Sequence, residues 1–103
     1  MTEVKQVTGA ELEELVASGK RVLADFFLDN CGPCKMQKVI LKEMAKNAEN
    51  LDIVTVNLGQ SAEIAKNYEI GTVPYLILFE QGQVKERMLG MQQKAMLLEI
   101  INE

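Results

Sequence analysis

Two cysteines separated by two residues, in the run Cys31-Gly32-Pro33-Cys34, are the residues of this sequence best suited to chemistry. Thiol–disulfide exchange requires a thiolate that attacks a disulfide and a second thiol that resolves the resulting mixed disulfide. Two intervening residues at the start of a helix bring the two sulfurs close enough for both steps. The spacing therefore predicts a redox-active pair, in which Cys31 attacks and the more buried Cys34 resolves.

A helix that begins at this pair would favour a thiolate at Cys31. Unpaired backbone N–H groups and the helix dipole stabilise negative charge by up to roughly 2 kcal/mol, which is enough to lower the pKa of Cys31 by about one unit. Pro33 suits the first helical turn, and Gly32 permits close approach of a substrate backbone. Neither residue is a cation that would stabilise the thiolate, so the Gly-Pro pair favours a reductant over an oxidant.

Other uses of a cysteine pair fit this sequence less well. The chain has only these two cysteines and no histidine, so a tetrahedral zinc site lacks ligands. Haem attachment needs a histidine after the second cysteine, where Lys35 stands. Two inert core cysteines remain an alternative, although Gly-Pro is poor core material. We therefore expect no metal, and no cofactor other than the cysteine pair itself.

Composition limits the class of protein. The 103 residues, 48% apolar and 25% charged, predict one globular domain over residues 1–103, which we expect to be a monomer. The net charge of -4 argues against a nucleic-acid partner, since phosphate binding depends on Lys and Arg clusters. We expect no membrane span, because no run of about 18 apolar residues occurs, and no secretory signal, because the first residues lack its apolar core. We expect a cytoplasmic protein, where a cysteine pair is seldom structural.

Hydrophobic periodicity predicts alternating strands and helices. Strands are expected at Val4–Val7, Val22–Phe27, Ile53–Leu58, Tyr75–Phe79 and Val84–Leu89, the last two joined by a turn at Gln81-Gly82. Helices are expected after a capping box of Thr8 and Glu11, from Cys34 to about Asn47, from a cap at Ser61 to about Tyr68, and around Leu97, Leu98 and Ile101. The apolar stripe of the second helix is expected to contain Met36, Val39, Ile40, Leu41 and Met44.

This order predicts an α/β fold with a central mixed sheet of about five strands and about four helices on both faces. The strand Val22–Phe27 is nearly all apolar, which is typical of a central strand buried on both faces. Ligands of open α/β sheets bind outside the carboxyl ends of strands. Cys31 follows such an end directly, so the predicted site lies at this edge of the sheet.

With these residues placed, the whole chain resembles the thioredoxin family. The strand Val22–Phe27 leads into Cys31-Gly32-Pro33-Cys34-Lys35-Met36, the run Gly71-Thr72-Val73-Pro74-Tyr75 follows later, and Gly82 and Gly90 complete the pattern. A CxxC motif alone would be a weak match, whereas this ordered set is specific. The resemblance implies the thioredoxin fold and a protein-disulfide reductase that carries electrons from a thioredoxin reductase, of a type the sequence does not specify, to disulfide-containing target proteins.

The resemblance also implies roles for residues outside the cysteine pair. Asp25 matches a buried acid beneath the disulfide that takes and returns the Cys34 proton, and its apolar neighbours favour the burial that raises a carboxyl pKa. Pro74 matches a cis-proline that faces the disulfide, and Val73 would offer backbone hydrogen bonds to an extended substrate segment. The implied docking patch consists of Gly32, Pro33, Thr72, Val73, Gly90 and Met91.

Several residues depart from the family pattern, and those nearest to the proposed chemistry are the following. Asn30 stands where a tryptophan usually precedes the first cysteine, and Phe27 replaces another tryptophan, so the docking surface is altered and more polar. Thr55 stands where many members have a lysine near the buried acid. Loss of that cation predicts a higher pKa for Asp25.

These departures keep two alternatives to a reductase open. One is a more oxidising disulfide exchanger or isomerase, which Asn30 and Thr55 suggest. The other is a thioredoxin-like binding module whose dedicated partner uses the surface around Val73 and Met91.

Overall fold

The computed structural model describes residues 3–103, in which every element predicted from the sequence is present. The strands are β1 (Val4–Val7), β2 (Val22–Phe27), β3 (Asp52–Asn57), β4 (Tyr75–Glu80) and β5 (Gln83–Leu89). The helices are α1 (Gly9–Ala17), α2 (Gly32–Ala45), α3 (Ala62–Asn67) and α4 (Lys94–Ile101). None of the helices within residues 3–103 is long and apolar enough to cross a membrane.

The strands form one mixed sheet in the order β1-β3-β2-β4-β5, which confirms the predicted architecture. The central strand β2 pairs in parallel with β3 and antiparallel with β4, while β1 runs parallel to β3. β4 and β5 form the predicted antiparallel hairpin. All six residues of β2 are buried, which explains its nearly continuous apolar sequence.

The sheet separates two hydrophobic cores, because successive strand residues point to opposite faces. Helices α1 and α3 cover one core, which includes Leu12, Val16, Val22, Ala24, Phe26 and Ile64. Helices α2 and α4 cover the other, which includes Leu23, Leu41, Met44, Leu76, Leu97 and Ile101. Asp25 and Phe27 follow Leu23 at alternate positions of β2 and therefore lie on the face beneath α2.

Local sequence signals explain several element ends. The Thr8 hydroxyl accepts the Glu11 N–H at 3.1 Å, and the Glu11 carboxylate accepts the Thr8 N–H at 2.8 Å, so the predicted capping box is confirmed. Gln81 and Gly82 have φ angles of 54° and 78°. Both values fit the tight turns that join hairpin strands.

The predicted side-chain cap at Ser61 is wrong. Ser61 precedes α3, but its hydroxyl makes no capping hydrogen bond to that helix. Instead it accepts the backbone N–H of Gly9 at 3.2 Å, at the start of α1. The hydroxyl thus joins two helices on the same face of the sheet.

The predicted apolar stripe of α2 is wrong at two positions. Met36 and Val39 are 52% and 56% exposed. The buried residues of this helix are Cys34, Gln37, Leu41, Met44 and Ala45. Because Cys34 faces the sheet, the residue one helical turn later must face it too, and that residue is Gln37. The predicted apolar stripe did not include this polar side chain.

Candidate active site around Cys31 and Cys34

The cysteine pair lies where the chain passes from β2 into α2. Cys31 is the N-cap of α2, with extended backbone angles, and Pro33 occupies the first turn. In this structure the two cysteines are joined by a disulfide with a Cα–Cα distance of 5.2 Å, and the Cys31 sulfur accepts the backbone N–H of Cys34 at 3.1 Å. Cys31 is partly exposed, whereas Cys34 is 1% exposed. Solvent and partners therefore reach the first sulfur and not the second.

A buried asparagine holds the loop that carries the pair. The Asn57 side chain, at the end of β3, donates to a carboxylate oxygen of Asp29 at 3.1 Å and accepts the Gly59 N–H at 2.8 Å. Asp29 precedes Asn30 and Cys31 in the loop after β2. The side chain thus ties the two loops that follow β2 and β3, at the edge of the sheet where the pair lies.

Asp25 is a fully buried carboxyl group in the middle of β2. Neither of its oxygens has a hydrogen-bond partner among residues 3–103. Burial raises the pKa of Asp25 from 3.8 to about 7, and the positive charge of Lys38 opposes this rise. A carboxyl group that titrates near neutral pH can both take and return a proton.

The charge beside Asp25 comes from the helix and not from the sheet. Across the sheet, Asp25 is in register with Thr55 of β3 and Leu76 of β4, and neither side chain is charged. The Lys38 ammonium of α2 lies 3.5 Å from the centroid of the Phe27 ring, two residues along β2 from Asp25. Thr55 does leave β3 without a cation, as expected, but Lys38 supplies one that the sequence analysis did not single out.

The lysine also borders a cleft next to the resolving cysteine. This cleft has a volume of about 150 Å³ and is lined by Phe27, Leu28, Asp29, Cys34, Lys35 and Lys38. The cleft therefore adjoins the resolving cysteine on the side of Lys38.

The segments after α3 and after β5 meet at the same edge of the sheet. Tyr75, at the start of β4, is in register with Phe26 of β2 and with Leu89 of β5. The preceding Val73–Pro74 peptide bond is cis, as the family resemblance implied. The Gly90 N–H donates to the Pro74 carbonyl at 2.9 Å, which joins the two segments.

The predicted docking residues differ in their exposure. Pro74 is buried, and Val73 and Gly90 are partly exposed. The exposed members are Asn30, Gly32, Pro33, Thr72 and Met91. The structure joins Pro74 to Gly90 by a hydrogen bond and places the others in the loops and the first helical turn at the same edge.

Two residues of α2 that sequence reasoning missed contact this region. Gln37 is fully buried and is hydrogen-bonded to the backbone of Gln92, and Lys38 lies over Phe27. Their spacing from Cys34 was the available signal. The residues three and four positions after a buried cysteine must lie on the same side of the helix as that cysteine.

Comparison with known proteins agrees with this geometry. The sequence model of the thioredoxin family matches residues 3–103. The chain belongs to the thioredoxin family. The thioredoxin of Chlamydia pneumoniae is 35% identical over 100 residues, which are 97% of each chain. The thioredoxin of Mycoplasmoides gallisepticum is 34% identical over 99 residues, which are 95% of this chain and 99% of that protein.

A solved structure supports the same assignment. A thioredoxin variant from Halobacterium salinarum has a TM-score of 0.89 and 30% identity, over 97% of this chain and 88% of that one. Thioredoxins act through their own cysteine pair, and this chain holds its pair at disulfide distance. The chain is thus a dithiol–disulfide oxidoreductase.

The raised pKa of Asp25 makes stability depend on pH. Between pH 3.8 and about 7 the folded protein binds a proton at Asp25 that the unfolded chain has released, so stability falls as pH rises through this window. Between pH 5 and pH 8 this group removes about 3 kcal/mol from the free energy of unfolding. Urea unfolding of the oxidised protein should show this fall in the free energy of unfolding. The Asp25→Asn variant should not show it.

The Glu49→Gln variant is the matched control, since it removes one solvent-exposed carboxylate. It should keep the wild-type dependence on pH. If Asp25→Asn and wild type lost equal stability between pH 5 and pH 8, the buried carboxyl would not titrate in this range.

The positive charge of Lys38 should have a measurable effect on the pKa of Asp25. We expect Lys38→Met to raise the Asp25 pKa above about 7, by roughly half a unit to one unit, because an opposing positive charge is lost. The measurement is a pH titration of the Asp25 carboxyl carbon by NMR in the oxidised protein. Lys35→Met removes an exposed lysine of the same helix and should have a much smaller effect. Equal shifts in both variants would contradict a specific role for Lys38.

Proposed function

We propose that this protein is a protein-disulfide reductase in which Cys31 is the attacking residue and Cys34 the resolving one. The observation that supports this division most directly is their difference in access. Cys31 is partly exposed at the N-cap of α2 and its sulfur accepts a backbone N–H, whereas Cys34 is 1% exposed. Of the two cysteines, only Cys31 is open to a sulfur of a folded target protein.

The reaction we propose has two exchange steps. The Cys31 thiolate attacks one sulfur of a target disulfide, a mixed disulfide forms, and the other target sulfur leaves as a thiolate. Cys34 loses its proton and attacks the Cys31 sulfur, which releases the second target thiolate and leaves the Cys31–Cys34 disulfide. Two electrons pass from the enzyme to the target, whose thiolates take up two protons.

Asp25 is the group we propose for the Cys34 proton. Its carboxyl group is buried on the strand face beneath α2, and its pKa of about 7 lets it accept a proton at neutral pH and release it later. In this scheme a water molecule carries the proton between them, and the cleft beside Cys34 borders the cysteine end of that route. In this scheme Asp25 sets the pH dependence of the second step.

For docking, we propose that an extended target segment lies along Val73 and Pro74, with backbone hydrogen bonds to Val73. The hydrogen bond between Gly90 and Pro74 supports this, because it fixes the neighbouring segment beside the same site. The exposed Thr72 and Met91 would contact the target on either side. Asn30, Gly32 and Pro33 would complete the patch around Cys31.

The cellular setting follows from the chemistry of the pair. We propose that a thioredoxin reductase restores the dithiol and that disulfide-containing proteins are the targets, so that the chain serves electron transport and redox homeostasis. A dithiol is maintained in a reducing compartment, which supports action in the cytoplasm. The net charge of -4 supports a monomer, and the family match over residues 3–103 supports one domain.

A more oxidising exchanger or isomerase is the second candidate. It is favoured by the exposed Asn30 before Cys31 and by the neutral Thr55 beside Asp25. Equilibration with glutathione separates the candidates, since a difference of about 30 mV in potential is about a tenfold change in the equilibrium. A reduction potential near that of protein disulfide isomerase would contradict the reductase proposal and support the exchanger or isomerase.

Serine variants of the two cysteines test the proposed division of labour. With reduced protein and insulin, we expect Cys34→Ser to accumulate a mixed disulfide through Cys31, because no resolving thiol is present. Cys31→Ser should form none, and turnover should fall at least about 100-fold in both variants. Non-reducing electrophoresis with mass spectrometry identifies the adduct. Trapping by Cys31→Ser instead would reverse the roles.

A further inference from the structure

Gln37 is a polar side chain buried in a helix face that otherwise packs on the hydrophobic core. It is fully buried, and both ends of its amide group are paired with one residue, Gln92. The Gln37 Nε2 donates to the Gln92 carbonyl at 3.0 Å, and the Gln92 N–H donates to the Gln37 Oε1 at 2.6 Å. The buried amide group therefore makes a hydrogen bond at both its donor and its acceptor end.

This pairing copies the contact between two antiparallel strands. In such a ladder, opposite residues exchange both an N–H and a carbonyl hydrogen bond. Here the Gln37 amide group takes the place of a strand residue, and the segment after β5 is held against α2. An apolar side chain at this position would leave the N–H and carbonyl of Gln92 without these partners.

The same segment is fixed at its other end. The Gln92 side chain donates to the carbonyls of Leu89 and Gly90 at 3.1 and 3.3 Å, and the Gly90 N–H donates to the Pro74 carbonyl at 2.9 Å. A continuous series of hydrogen bonds thus runs from the cis-proline segment to α2. Met91 lies between the two anchored residues and is 39% exposed.

We propose that Gln37 is a positioning residue that holds Met91 beside the cysteine pair, where Met91 contacts an apolar side chain next to the disulfide of a protein target. This inference rests on the proposed reductase function and docking patch, to which it adds Gln37 as the residue that positions Met91. Methionine suits such a contact because its flexible, polarisable side chain adapts to apolar groups of different shape. A fixed backbone on both sides of Met91 lowers the entropy lost when a target binds.

The test compares a protein disulfide with one that lacks a polypeptide. With insulin as substrate, Gln37→Leu should raise KM about fivefold and change kcat by less than about twofold. With hydroxyethyl disulfide, which has no polypeptide side chain to contact Met91, the decrease in kcat/KM should be much smaller. Met36→Leu, at an exposed position of the same helix, is the matched control and should resemble wild type with both substrates.

A double-mutant cycle tests whether Gln37 acts through Met91. Met91→Ala alters an exposed side chain and should raise KM for insulin in the wild-type background, but should add little in the Gln37→Leu background. Loss of hydrogen-exchange protection at the Gln92 N–H in Gln37→Leu, with the fold retained, would report release of the segment. Additive effects of the two substitutions, or equal losses with both substrates, would overturn the proposal.

The outcomes also separate this inference from the reductase function. If the wild-type protein reduces neither substrate, the proposed function fails. If it reduces both, and Gln37→Leu behaves like wild type, only the positioning role fails. Should Gln37→Leu not fold, Met91→Ala alone decides, because an unchanged KM for insulin in that variant contradicts the role of Met91.

Discussion

The packing of α2 across the end of β2 is the constraint on which the site depends. It makes Cys34 and Gln37 buried residues, leaves Cys31 at the accessible start of the helix, and covers Asp25. Ionising a carboxyl group without hydrogen-bond partners in such a place is unfavourable, so the fold is less stable at neutral pH than it would be without this group. The same burial moves the pKa of Asp25 into the range in which a proton can be exchanged.

The positive charge near Asp25 belongs to a side chain of α2 and not to a neighbouring strand. The strands on either side present Thr55 and Leu76, and the ammonium group of Lys38 reaches over the Phe27 ring from α2. Burial and Lys38 act in opposite directions on the pKa of Asp25, and burial is the larger effect. Lys38 belongs to the helix that follows directly from the cysteine pair. The pKa of Asp25 therefore depends on the position of that helix.

Much of the fold was accessible from the sequence because strands and helices have different hydrophobic periods. The apolar run of β2, the capping box at Thr8 and the turn at Gly82 each predicted a feature that the structure confirms. Gln37 and Lys38 were missed because a hydropathy stripe places polar side chains on the solvent side. Their positions follow from contacts with Gln92 and Phe27, which belong to other elements of the fold. The Ser61 hydroxyl was misassigned for the same reason, since its partner Gly9 belongs to another helix.

The central claim is that the fold makes the two cysteines unequal, with Cys31 as the nucleophile. The most direct test is brief alkylation of the reduced, folded protein with iodoacetamide at neutral pH, followed by peptide mass spectrometry. The account predicts that the label is found on Cys31 and that Cys34 stays unmodified until the protein is unfolded. Equal labelling of both cysteines, or earlier labelling of Cys34, would contradict it.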